Sequence, residues 1–164
     1  MTEVDGPTLR LIAGHFPTGV TVVTAVHDGH PCGLTVNSFA SISLDPPLIL
    51  VCVSRRSRAY RCLEAAGRFA VNVLADDQEG LARLFASLAE EKFAGLAYRS
   101  SPGGNPILDG VHAWLDCEVT ERHPGGNTHT IFVARVTALE AASGSPLAFH
   151  RGSYRPLGSA EASS

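Results

Sequence analysis

Short runs of β-branched and other apolar residues recur along this chain, and most are joined by turn residues rather than by helix-length segments. Runs of this length and composition predict strands, and tight turns between successive strands favour antiparallel pairing. We expect strands at residues 19–26, 32–36, 48–53, 69–74, 111–122, 130–139 and 147–150. The pattern favours a mainly β fold, a closed or partly closed antiparallel barrel of Greek-key type with peripheral helices, over a doubly wound parallel sheet.

Turn residues define the predicted hairpins. Asp28-Gly29 predicts a tight turn between the first two strands. The Pro-Gly-Gly segment at residues 124–126 predicts a hairpin between the strands at 111–122 and 130–139.

The pattern of apolar residues also predicts burial. The run at 48–53 contains no charged or polar residue, which is typical of a strand buried on both faces. In the strand at 111–122 the apolar residues alternate, so one face carries Val111, Ala113, Leu115, Cys117 and Val119. Residues 90–109 have weak periodicity and include Ser-Pro-Gly-Gly, which predicts a surface loop with local turns.

Three segments are predicted to be helices. The first precedes Pro17 and has apolar residues at helical spacing, namely Leu9, Ile12, Ala13 and Phe16. The second covers residues 58–66 and ends at Gly67. The third is capped by Asp76 or Asp77 and presents one apolar face formed by Leu81, Leu84, Phe85 and Leu88.

Length and charge limit the possible classes of protein. A chain of 164 residues predicts a single domain, at residues 1–157, with a short, small and polar tail at 158–164 that we expect to be flexible. A net charge of -3 argues against a nucleic-acid-binding protein, and gives no reason to expect a membrane surface as partner. The acidic N-terminus lacks a secretory signal and no apolar run is long enough to span a membrane, so a cytoplasmic protein is expected.

The cysteines and histidines do not form a recognisable framework. There are four cysteines, none in a CxxC pair: Cys32, Cys52, Cys62 and Cys117. We therefore expect small, buried, reduced thiols rather than a disulfide. His27, His30 and Cys32 match no standard zinc spacing, and no metal site is predicted.

The segment at residues 33–39, Gly-Leu-Thr-Val-Asn-Ser-Phe, is a first candidate for ligand binding. Gly33 permits close approach of a flat ligand or of a second backbone. The polar side chains of the segment offer donors and acceptors to the edge of a heteroaromatic ring: Thr35, Asn37 and Ser38. The alternative is a glycine-containing strand that leads into a capped turn.

The segment at residues 54–57, Ser-Arg-Arg-Ser, is a second candidate, since it lies in the most basic stretch of an acidic protein. It precedes a predicted helix, and free N–H groups at a helix start bind phosphate well. An ordinary solvated helix start explains the pattern equally well.

His129 is a third candidate, since it begins a predicted strand. It could act as an acid, a metal ligand or a hydrogen-bond donor to a ligand, and the alternative is a surface histidine beside a turn.

Two well-known motifs, one catalytic and one for nucleotide binding, are missing from the sequence. There is no G-x-S-x-G, which argues against a hydrolase, and no G-x-G-x-x-G after a strand, which argues against a Rossmann nucleotide site.

Several motifs occur in a specific order: FPTGVTVVT at 16–24, GLTVNSF at 33–39, SISLDPPL at 41–48, FAVNVL at 69–74, Leu81-Ala82 with Phe85-Ala86, and TIFV at 130–133. In this order and spacing they resemble the short flavin reductases of two-component flavin-dependent monooxygenases, the family with the FMN-binding split barrel. The similarity extends from about residue 9 to about residue 157.

The resemblance implies a split barrel, usually a homodimer, with the flavin in a groove near the subunit interface. It implies that the flavin ring and ribityl chain are contacted by Gly33, Thr35, Val36, Asn37 and Ser38. It implies that the flavin phosphate is held by the loop that contains Ser54, Arg55 and Ser57. It also implies that Phe85 lies close to the flavin, although core packing is the alternative for this residue.

One part of the chain departs from the family pattern. Members usually carry Gly-Asp-His before the strand that begins here at Thr130, and a glycine a few residues later. Here Asn127 and Thr128 precede His129, and Ala134 stands at the later position. The departure leaves the flavin segment intact and affects the histidine that, in the family, helps to place the nicotinamide.

The resemblance implies an NAD(P)H:flavin oxidoreductase that transfers hydride from C4 of NADH or NADPH to N5 of FMN or FAD. His129 would act in catalysis, with Arg151 or Tyr154 orienting the nicotinamide. The reduced flavin would then pass to a partner monooxygenase. Two alternatives remain at this point: a flavin-retaining oxidoreductase that acts on an organic substrate, and a non-catalytic flavin-binding accessory subunit.

Overall fold

A computed structural model describes residues 4–157, which form three helices and twelve strands. The predicted tail at 158–164 lies outside the described residues. The helices are α1 (Gly6–Ala13), α2 (Tyr60–Ala66) and α3 (Glu79–Ala86). The strands are β1 (Thr18–Gly19), β2 (Thr21–His27), β3 (His30–Val36), β4 (Ala40–Leu44), β5 (Pro47–Ser54), β6 (Arg68–Val73), β7 (Tyr98–Ser100), β8 (Pro106–Leu108), β9 (Ala113–Gly125), β10 (His129–Ala141), β11 (Leu147–His150) and β12 (Ser153–Pro156).

Seven strands form one antiparallel sheet in the order β3-β2-β6-β9-β10-β5-β4. A three-stranded sheet has the order β1-β11-β12, and β7 pairs with β8. The two ends of the large sheet approach each other, since Ser38, which follows β3, hydrogen-bonds to Cys52 on β5. The predicted mainly β barrel with peripheral helices is confirmed. No helix within residues 4–157 has the length and apolarity to cross a membrane.

The predicted hairpins are confirmed. Asp28 and Gly29 have φ values of 49° and 76°, the left-handed conformations of a tight hairpin turn between β2 and β3. Strands β9 and β10 pair from Ala113 with Ala141 to Gly125 with His129, which is the expected hairpin, although its turn is formed by residues 126–128 and not by 124–126 as predicted. Gly67 ends α2 in the left-handed conformation, as predicted.

Two large hydrophobic clusters account for most of the buried core. The larger lies between the curved sheet and α2, and includes Val23, Val51, Leu63, Phe69 and Phe132. The smaller lies beneath α3 and includes Val20, Leu74, Phe85 and Leu147. Strands β3 and β5, which contribute to the larger cluster, also position the polar segments at residues 33–39 and 54–57.

Residues 90–109 differ from the predicted surface loop, because they fold back over the sheet. They contain β7 and β8, and residues 105–108 are buried. Ile107 packs with Trp114 and Ala70 on the outer face of the sheet. The sequence predicted that the face of β9 with Cys117 is the apolar one, and Trp114 lies on the opposite face. Trp114 is nevertheless only 8% exposed, because residues 105–108 cover it.

Several other predictions about burial and boundaries were wrong. In β5, Ile49, Val51 and Val53 are buried, but the alternate residues are only half-buried, so the strand is not covered on both faces. Helix α3 begins after Gln78 rather than after Asp76 or Asp77. Leu88, predicted on its apolar face, is 79% exposed because the helix ends two residues earlier at Ala86.

The prediction of four reduced thiols was also wrong, because Cys32 on β3 is disulfide-bonded to Cys62 on α2. Helix α2 packs against β2 and β3, which brings the two Cα atoms within 6.4 Å. Cys52 and Cys117 are free. Burial raises the pKa of the Cys117 thiol to about 12, so this group is held as the neutral thiol.

Candidate active site

The end of β5 lies beside the start of β10, which brings the basic loop next to His129. Ser54 pairs with His129 in the register of the two strands. The backbone N–H of Arg55 donates to the carbonyl of Thr128 at 2.9 Å, and its Nε donates to the hydroxyl of Thr130 at 3.2 Å. Arg55 therefore contacts the residue on each side of His129, and two of the predicted candidate regions lie side by side.

Residues 55–59 form a series of turns between β5 and α2, which begins at Tyr60 and not at residue 58 as predicted. The hydroxyl of Ser54 accepts from the N–H of Arg56, and that of Ser57 accepts from the N–H of Ala59, both at 3.3 Å. Each hydroxyl keeps a proton that it can donate. With exposed arginines in the same loop, these groups fit an anionic ligand such as a phosphate.

The polar residues at the end of β3 and directly after it mainly bind other parts of the protein. Thr35 donates its hydroxyl proton to the carbonyl of Ala82 on α3 at 2.6 Å. Ser38 both donates to and accepts from the backbone of Cys52, at 2.9 and 3.0 Å. The side chain of Val36 is buried in the larger cluster. Asn37 is exposed, and its amide has no hydrogen-bond partner among residues 4–157, so it is the side chain of this segment that is free for a ligand.

Gly33 provides space for a neighbouring side chain of the same protein. A Cβ atom at Gly33 would lie 2.9 Å from Cε1 of Phe85 and 3.1 Å from the carbonyl oxygen of Val23. Phe85 is 1% exposed and its ring contacts that of Phe93 edge-on at 5.2 Å. In this chain Phe85 therefore occupies the core beneath the β3 segment, which is the alternative that the sequence left open.

The C-terminal candidates, Arg151 and Tyr154, lie beside the end of α1 and beside α3, respectively. The ring of Tyr154 packs against Phe149 at 5.2 Å and beneath the guanidinium of Arg83, also at 5.2 Å. Burial raises the pKa of the Tyr154 phenol. Arg151 is exposed, has a φ of 50° and donates its N–H to Gly14. No hydrogen bond within the described part of the chain joins Arg151 or Tyr154 to His129.

Sequence reasoning missed the polar residues that surround Arg55. The phenol of Tyr60 lies 2.9 Å from the hydroxyl of Thr130 and donates to Glu64 at 2.8 Å. With Arg55 and Arg122, these residues line an open cavity of about 430 Å³. The alternation of β10 predicts that Thr130 points inward, but its partners follow from the β5–β10 register, which the sequence does not reveal.

A larger cavity, of about 570 Å³, lies at the opposite end of the β9–β10 hairpin. Three of its side chains bind one another: Glu140 accepts from Arg99 at 3.0 Å and from the indole of Trp114 at 3.2 Å. The Arg99 guanidinium covers the Trp114 ring at 5.1 Å. We therefore place the site at the β5–β10 edge in spite of the smaller volume there.

Residues 13–158 match the family model of the flavin reductase like domain. The chain belongs to this family. Its relatives include the reductase subunit HsaB of a flavin-dependent monooxygenase from Mycobacterium tuberculosis, 42% identical over 93% of this chain and 82% of that protein. A flavin reductase from Pseudomonas putida is 44% identical over 93% of this chain and 91% of that protein.

A solved structure of the NADH:FAD oxidoreductase SgcE6 from Streptomyces globisporus, in complex with NAD and FAD fragments, superposes with a TM-score of 0.88. It is 36% identical and covers 96% of this chain and 98% of that one. The resemblance, the fold and the oxidoreductase class predicted from the sequence are thus confirmed: the chain is a flavin reductase.

Proposed function

We propose that this flavin reductase uses NADH or NADPH to reduce FMN or FAD and supplies the reduced flavin to a separate monooxygenase. The family match over residues 13–158 carries the proposal, because it covers the β3 segment, the basic loop and His129 together. Support comes from a relative named as the reductase subunit of a monooxygenase and from a neighbour named as an NADH:FAD oxidoreductase.

When bound, the flavin and the nicotinamide supply the hydride chemistry themselves, so the protein has to bind and orient them. We assign the flavin phosphate to the loop, through the hydroxyl protons of Ser54 and Ser57 and the positive charge of Arg55. We assign the flavin ring to the amide of Asn37 and to the backbone of residues 35–38. The other residues predicted to bind the flavin ring are packed in the core beneath residues 35–38: Gly33, Val36 and Phe85.

We assign the orientation of the nicotinamide to His129. Its ring is exposed, and Nε2 has no partner among the described residues, so this atom is free to bind a ligand. Arg151 and Tyr154 would contact the cofactors from the β3 side. A protonated or neutral imidazole can donate to the carboxamide oxygen of nicotinamide, which fixes the ring that carries the hydride.

We propose that the protein is a homodimer. Several large apolar side chains of α1, the segment after it and β4 are 47–91% exposed: Leu9, Leu11, Ile12, Phe16, Ile42 and Leu44. Helix α1 has no buried residue, although one face of it is apolar. A second copy that covers these residues would complete their burial and that of the half-exposed face of β5.

The proposal also gives the protein a location and a partner class. NADH and NADPH are cytoplasmic reductants, so we place the protein in the cytoplasm. Its partner there would be a flavin-dependent monooxygenase that takes up reduced flavin.

Steady-state oxidation of NADH and NADPH, each with added FMN, FAD or riboflavin, tests the activity and identifies the cofactors. We expect nicotinamide oxidation that depends on added flavin and saturates with both compounds. Flavin binding without turnover for either nicotinamide would instead indicate a flavin-binding accessory subunit.

A further inference from the structure

We infer that Thr128 is a positioning residue that holds the imidazole of His129 for the nicotinamide. The inference rests on the proposed function, which gives His129 its role. Thr128 Oγ1 lies 2.8 Å from His129 Nδ1, within hydrogen-bonding distance. Both residues are exposed, so this hydrogen bond, and not surrounding packing, restrains the ring.

The bond determines which ring atom faces the ligand. Because a hydroxyl can donate or accept, Thr128 can serve either neutral form of the imidazole, and in both cases Nδ1 is occupied. When the hydroxyl donates to Nδ1, the proton of the ring is on Nε2, which then donates to a carbonyl such as that of a carboxamide. The hydroxyl achieves this without placing a negative charge beside the ring.

The backbone of Thr128 is itself held in place. Its carbonyl accepts from the N–H of Arg55 at 2.9 Å, and the Arg55 side chain binds Thr130, which is 5% exposed. Across the hairpin, a Cβ on Gly125 would lie 3.1 Å from Cβ of His129, so glycine there leaves the histidine in its position. The Thr128 hydroxyl is therefore fixed by the loop that we assign to the flavin phosphate.

The test compares Thr128→Val, which removes the hydroxyl at nearly constant shape, with Thr128→Ser, which keeps it. Loss of one such hydrogen bond predicts an increase in KM for the nicotinamide of about 3- to 10-fold in the valine variant, with a smaller change in kcat. The serine variant should return KM to within about twofold of the unmodified protein. Flavin affinity should be unchanged in both.

Thr120→Val is the matched control, because its hydroxyl also bonds within the β9–β10 hairpin, to the carbonyl of Val133 at 3.2 Å. It should leave KM unchanged. His129→Ala, alone and combined with Thr128→Val, completes a double-mutant cycle in which the second substitution adds nothing once the imidazole is absent.

Three results would overturn the inference: an unchanged KM in Thr128→Val, no rescue by serine, or additive effects in the cycle. An unchanged KM in His129→Ala would remove the role of His129 as well. Flavin-dependent turnover of the unmodified protein judges the proposed function separately, so the two failures are distinguishable.

Discussion

At the scale of the residue, Gly33 shows how closely the segment at residues 33–39 packs against the protein core. The ring of Phe85 lies where a Cβ of residue 33 would be, and the Val23 carbonyl closes the other side. Phe85 is held in turn by Phe93, so it cannot move away without disturbing the smaller cluster. The segment that carries Thr35 and Asn37 is thus positioned by core packing beneath it.

Gly33→Ala should therefore lower the free energy of unfolding by about 1–3 kcal/mol, the usual cost of overpacking a core. Gly80→Ala is the control, since nothing lies within 4 Å of the added atom in α3. Alanine there should leave stability unchanged or raise it by up to about 1 kcal/mol. Chemical denaturation of the two variants measures both effects, and equal stabilities would show that Phe85 adapts to the added methyl group.

The polar residues of the candidate site could be picked out from the sequence, but their hydrogen-bond partners could not. Hydroxyl and amide groups at 35–38 and 54–57 do lie at one edge of the barrel. Thr35 and Ser38 nevertheless use their hydroxyls on α3 and β5, which leaves Asn37 free. A hydroxyl binds whichever carbonyl the tertiary structure places beside it, and that choice depends on the register of strands far apart in the chain.

At the scale of the element, the Cys32–Cys62 disulfide joins β3 to α2. Strand β3 leads into Asn37, and α2 follows the basic loop, so the bond connects the two sides of the candidate site. The sequence did not predict it because the two cysteines are 30 residues apart and their proximity arises from the packing of α2 on β2 and β3.

Reduction of this disulfide should lower the free energy of unfolding by about 3–4 kcal/mol, through the entropy that the bond removes from the unfolded chain. Denaturation curves with and without reductant measure the difference. The variant Cys62→Ser should be insensitive to reductant, whereas Cys52→Ser should respond like the unmodified protein, since Cys52 is free.

Thiol counting provides an independent check on the same element. In denaturant, the oxidised protein should titrate as the two free thiols, Cys52 and Cys117, and all four cysteines of the chain should titrate after reduction. In the folded protein, alkylation should reach Cys52 before Cys117, whose pKa is raised to about 12 by burial. Four thiols in oxidised protein would contradict the pairing.

At the scale of the whole molecule, the exposed apolar side chains of α1 and β4 form the surface that we propose a second copy covers. Leu44, which is 91% exposed at the edge of the large sheet, is the most exposed of them. Leu44→Glu should shift the proposed homodimer toward monomer, as measured by sedimentation velocity. Leu139→Glu is the control: Leu139 is 67% exposed and lies on β10, so it is not one of the residues of α1 and β4 that form the proposed surface. Monomeric unmodified protein would contradict the proposed dimer.

The fold class could be predicted because it depends on local signals: β-branched runs, Asp28-Gly29 and the Pro-Gly-Gly turn. The burial of residues 105–108 and the half-buried face of β5 could not, since both depend on what covers a strand rather than on its own sequence. The same limit applies to the choice between FMN and FAD, which depends on contacts beyond any single motif.

As a flavin reductase that supplies a separate monooxygenase, the protein must reduce flavin and then release it. Anaerobic mixing of the protein with excess free flavin and excess NADH, followed by the absorbance of both compounds, tests it directly. We expect NADH and oxidised flavin to disappear in equal amounts over many turnovers, until the free flavin is exhausted. Reduction that stops when each chain has reduced a single flavin would indicate a flavin-retaining enzyme. The absence of any flavin-dependent loss of NADH would contradict the proposed flavin reductase activity.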